Sequence, residues 1–138
     1  TGTVTSSGPT GLDIELGVWT GTLTSVSPPS SPPTATMYYK KIGTRIHISG
    51  DFGNVNTSGG SGDMRITGLP FTPRADSHEG GFNWYGIAFD TSTHVTLKCG
   101  TGGYLNWAVS EDNGAWSTLD ITAGTTKYIS FSMSYNID

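Results

Sequence analysis

The chain has 138 residues, a formal net charge of −4 and only 13% charged residues, about half of the usual ~25%. Its seven basic residues are scattered, which excludes a nucleic-acid or anionic-membrane surface built on clustered cations, and its longest apolar run is far too short for a spanning helix. The length fits one domain with a real core, while 37 Ser and Thr give a polar, weakly charged surface suited to neutral ligands or further copies of the chain.

Helix formers are scarce: there is no Gln, and only three Glu and four Lys. Thr, Val, Ile and aromatic residues dominate, and these fit pleated strands. Residues 1–16 read as a linker or edge segment, followed by a single domain over 17–138. Gly17-Val18-Trp19-Thr20 opens a strand that continues through Leu23 and Val26. The run 27–33 holds four prolines, which cannot donate to a ladder, so it is an extended surface connection.

Ala35 to Ile42 and Thr44 to Phe52 form the next strands. In the second, Ile46, Ile48, Gly50 and Phe52 share one face, and Arg45, His47, Ser49 and Asp51 the other, a period of two that marks a half-buried strand. Met64 and Ile66 continue the pattern up to Gly68-Leu69-Pro70-Phe71. A long loop over 72–81 carries Arg74, Asp76, His78 and Glu79. Phe82 to Phe89 is a dense aromatic strand; Val95, Leu97 and Cys99 alternate in the next, and Tyr104 to Val109 follows. A polar loop over 110–117 precedes Leu119 and Ile121. In the last strand Ile129, Phe131, Met133, Tyr135 and Ile137 face one way and serines the other. Eight to ten such strands with no helical period predict an all-β, antiparallel, two-sheet β-sandwich of jelly-roll type. Cys99 is the single cysteine. It reads as a small buried hydrophobe, and the lack of a disulfide fits synthesis in a reducing cytoplasm. No signal peptide is visible.

Gly17-x-Trp19-Thr20-x-Thr22-Leu23, Tyr39-Lys40-Lys41-Ile42-Gly43, Ile46-x-Ile48-x-Gly50 and Ile66-Thr67-Gly68-Leu69-Pro70-Phe71 together resemble the C-terminal domain of phage tail fibres and tailspikes. The dense matches lie in 17–24, 39–52 and 64–71, and Gly21 stands where that family often has Pro. The resemblance implies a homotrimeric β-sandwich at the virion's fibre tip, made in the host cytoplasm, that binds host surface polysaccharide or lipopolysaccharide, assembles the trimer, or both. It implies no catalysis, since the family places capsule cleavage in a preceding domain, and leaves a small polysaccharide depolymerase or esterase as the third alternative. The apolar last strand suits burial between subunits.

Sugar binding needs flat aromatic faces with amides and carboxylates nearby. Trp116, in a loop with Asp112 and Asn113, is the leading platform, against capping of the sandwich end. Trp84 and Tyr85 are adjacent on a strand, so one should enter the core and the other face out. Asp76 and His78 offer a second polar cluster, against a merely solvated loop. Trp107 shares a parity with Leu105 and Val109 and reads as core; Trp19 reads as a core or interface anchor. No Gly-x-Ser-x-Gly elbow is present, no pair of carboxylates stands out for glycoside hydrolysis, and His47, His78 and His94 lack a second metal ligand at tight spacing. No catalytic residue, metal or cofactor is expected.

Overall fold

The alternation along the strands is what fills the core. A computed structural model describes residues 2–7, 13–87, 94–110 and 114–138. Among these there is no helix. Ten strands follow in order: β1 (Gly2–Ser7), β2 (Asp13–Ser27), β3 (Thr34–Ile42), β4 (Arg45–Val55), β5 (Ser61–Thr67), β6 (Glu79–Tyr85), β7 (His94–Cys99), β8 (Leu105–Ser110), β9 (Ser117–Thr118) and β10 (Lys127–Asn136). Every ladder is antiparallel.

The strands form one sheet in the order β6-β10-β4-β3-β2-β5-β8-β7, with β1 added to β2 and β9 to β8. The ends of that order approach each other just before β6, where Ser77 and Cys99 form an isolated antiparallel bridge. The all-β antiparallel expectation therefore holds, but the hydrogen bonding makes a single, nearly closed, barrel-like sheet instead of two separate ones. The reason lies in β2. Its fifteen residues pair with β3 along one edge, and on the other edge with β1 over Asp13–Gly17 and then with β5 from Thr22. A strand shared this way carries the ladder continuously past the point where two sheets would part.

The interior is filled by Trp19, Leu23, Met37, Tyr39, Ile46, Ile48, Phe52, Met64, Ile66, Leu97, Cys99, Leu105 and Trp107, together with Ile129, Phe131, Met133 and Tyr135 of β10. Trp107 is fully buried, as its parity predicts. Gly50, opposite Phe131, leaves its side-chain space to Met37; a Cβ there would lie 2.5 Å from Met37 Cγ.

Three expectations change. β2 begins at Asp13, before Gly17, because Ile14–Gly17 already has ladder partners on both edges and Asp13 pairs with Ser7 and accepts from Gly43 N. The loop assigned to 72–81 ends sooner, because Glu79, Gly80 and Gly81 pair with β10. The last strand does not wait for a neighbouring subunit: β10 sits between β4 and β6, and its apolar side is the barrel's own core.

Candidate functional site

β10 positions the outer face that matters. Residues opposite each other in an antiparallel ladder share a face, so Ile129, Phe131 and Met133 turn inward and Tyr128, Ser130, Ser132 and Ser134 outward. Tyr128 pairs with Tyr85 and Ser130 with Asn83 on β6, while Ser130 pairs with Asp51 on β4. Tyr85, Tyr128, Asn83, Ser130 and Asp51 therefore share one patch. They line an open depression of about 660 Å³, completed by Phe52, Gly53, Trp84, Thr126 and Ile129.

The depression is opened by local irregularity. Phe52 to Val55 of β4 runs opposite Ile129 to Lys127 of β10, one residue more than its partner, and Asn54 takes φ 51°. Such a bulge re-aims the neighbouring side chains. On the other side Thr126 has φ 62°, an outlier for a β-branched residue. Gly86, φ 76°, packs so tightly that a Cβ would lie 2.5 Å from Thr126 O. Lys127 Nζ donates to Gly86 O at 2.6 Å and so fastens the chain that follows Tyr85.

The two tyrosine rings stay partly open to solvent. The rings of Tyr85 and Tyr128 meet edge to face, 5.9 Å apart at 75°, and are 65% and 41% exposed. The expectation that one of Trp84 and Tyr85 enters the core fails: Trp84 is 47% exposed. It has the inward parity, opposite Ile129. Near the end of β6 it meets the barrel mouth, and its ring tilts against Phe82 at 5.2 Å.

The other candidates form a second cluster. Trp116 is 66% exposed. Its ring meets that of His78 at 6.2 Å and 62°, and Lys98 Nζ lies 5.7 Å from its centroid, within cation–π range. Lys98 in turn pairs with Asp76 at 3.5 Å. Two loops read separately in the sequence, one with Trp116 and one with Asp76 and His78, thus converge through a lysine of β7 that sequence reasoning did not single out. Asp112 and Asn113 lie outside the described residues.

Sequence reasoning also missed Tyr128, Asp51, Asn83 and Ser130. A signal was available, since Asp51 shares a face with His47 and Ser49, but only strand pairing tells which faces adjoin. The buried acidic groups lie elsewhere. Burial pushes the Cys99 thiol up to about 11, so it is not a nucleophile near neutrality. Burial, then the hydrogen bond to Glu15 Oε1 at 2.6 Å, raises the Tyr39 hydroxyl to about 12. Burial also raises Tyr135. No group of three or more His, Cys, Asp or Glu is placed to hold a metal ion among the described residues. Comparison with protein-family models gives no match to this chain, and comparison with curated proteins gives no significant one.

Proposed function

We propose that the chain is a distal, receptor-binding domain of a phage tail fibre or tailspike, a homotrimer that holds host surface polysaccharide or lipopolysaccharide without cleaving it. The observation that carries this reading is the depression beside Tyr85 and Tyr128. Its volume falls in the range of small-ligand sites, and it combines flat aromatic faces with a hydroxyl, an amide and a carboxylate. Sugars present the matching surfaces, C–H patches for the rings and hydroxyls for Ser130, Asn83 and Asp51. In this reading the curled sheet serves as a flattened, jelly-roll-like sandwich, one wall of which carries the ligand.

A second reading, assembly without a ligand, has its own support. On the outer face of β2 and β3, Val18 pairs with Tyr38 and Leu16 lies beside Lys40, with Ile42 at the end of β3. Leu16, Val18, Tyr38 and Ile42 are 37–60% exposed, an apolar row of the kind that marks an interaction surface. This row, and not the last strand, is where a trimer contact is best sought.

The test is a glycan array of bacterial surface saccharides on the purified domain, run beside its solution mass. Binding by a trimer that Tyr85→Ala removes, with the mass unchanged, supports the receptor reading. A trimer that binds nothing favours assembly. A monomeric mass counts against both, and release of reducing ends or acetate overturns the non-catalytic reading.

A further inference from the structure

The two aromatic clusters lie at opposite ends of β6, and the outer surface between them is neither apolar nor strongly charged. Ser130, Ser132 and Ser134 descend along β10, Ser132 faces Ser49 on β4, and Gly81 lies opposite Ser132 on β6. Ser132 is exposed, and a Cβ added at Gly81 would meet nothing within 4 Å, so the floor is open where the two strands meet. Tyr128 to Ser134 covers roughly 20 Å at the rise of a strand. Among the described residues the depression at the Tyr85 end is open.

Some charges at the far end are turned on each other, while Arg74 there and Lys40, opposite His47, are in no ion pair among the described residues. Arg45 is paired with Glu79 and Lys98 with Asp76, and His47 Nδ1 is held to Ser134 Oγ at 2.8 Å. At the near end, Asp51 has no cationic partner among the described residues. A carboxylate laid on the near end of this floor would meet the unopposed charge of Asp51. A hydroxyl would find serine partners throughout.

Resting on the carbohydrate reading above, we propose that the serine face of β10 is a track for a run of several neutral sugar units inside a polysaccharide chain, gripped at one end by Tyr85 and Tyr128 and at the other by His78 and Trp116. It is not a seat for one terminal sugar.

The probe is a set of oligosaccharides one to six units long, released by mild hydrolysis from bacterial capsule and O-antigen polysaccharides and sorted by length and uronate content. They are titrated against the native chain, Ser132→Tyr and Gly81→Tyr. Both variants place a ring in the middle of the track at open positions, and a native melting curve for either suffices for the comparison. Affinity should rise at least tenfold from two units to six in the neutral fractions, and uronate-rich fractions should bind more weakly. The tyrosine variants should lose the gain with length while keeping disaccharide binding. Equal affinity for short and long chains, a preference for uronates, or folded plug variants that bind long chains normally would overturn the track and leave the carbohydrate reading intact. No binding by any fraction would overturn both.

Discussion

Ser77 and Cys99 exchange both of their backbone hydrogen bonds, at 2.8 and 2.9 Å, and among the described residues this pair joins the two ends of the sheet order. Ser77 is tied a third time, its Oγ donating to Ser134 O at 2.9 Å. Ser77 thus reaches both β7 and β10 at the closure.

Ser77→Pro should loosen that closure. Proline removes the N–H that bonds Cys99 O, and the hydroxyl is lost as well, leaving carbonyl acceptors unpaired. Each lost bond costs about 1 kcal/mol, more where the orphaned group stays buried. A loss of roughly 2–3 kcal/mol by urea unfolding is expected, with faster amide exchange in β7 than in β3.

Stability should fall in alkali within a defined window. Cys99 and Tyr39 are raised from 9.0 to about 11 and from 10.0 to about 12. Their contribution is fully present below the unfolded values and is lost as pH rises through the folded ones, because the unfolded chain releases its protons first. The urea midpoint should hold up to about pH 9 and then decline, each group costing about 1.4 kcal/mol per pH unit while it titrates only in the unfolded chain. Cys99→Ala should move the onset of the decline towards pH 10, and an unchanged onset would show that the thiol is not responsible.

Gly68→Ala should be among the most damaging single-methyl additions. Gly68 has φ 95°, and an added Cβ would overlap the carbonyl oxygen of Thr20, backbone that cannot turn aside. Gly50→Ala meets only the flexible Met37 side chain. Overpacking of the latter kind costs typically 1–3 kcal/mol, so Gly68→Ala should exceed it. Thermal melts of the two variants side by side decide the order.

Lys127 should position the aromatic platform. Lys127→Met keeps most of the buried stem and loses the bond to Gly86 O, a charge-assisted bond worth roughly 1.5–3 kcal/mol. The expected result is weaker glycan binding together with faster amide exchange at residues 84–87. Tyr85→Ala should weaken binding roughly tenfold, or about 1.4 kcal/mol, without that change in exchange.

Much of the strand content was legible because alternation is a local property. Ile46, Ile48 and Phe52 announce a face whatever their strand pairs with; the buried Trp107 followed from parity, and the buried Cys99 from its residue type. Trp84 did not follow, because parity says which side a residue leaves the strand and not whether the barrel covers it there. The convergence of Trp116, His78 and Asp76 was equally hidden. Their loops are far apart in sequence, and the lysine joining them lies on another strand.

The sequence by itself determined an all-β, antiparallel chain with a weakly charged surface, since strand propensity, period-two patterning and composition are carried by each residue and its near neighbours. The tertiary structure alone decided that the strands curl into one nearly closed sheet, that β10 lies inside it between β4 and β6, and that Tyr85, Tyr128, Asn83, Ser130 and Asp51 share a patch. Those outcomes depend on which strands pair and in what register. Pairing is settled by long-range hydrogen bonds and by how the whole core packs, and no local stretch of the chain encodes either.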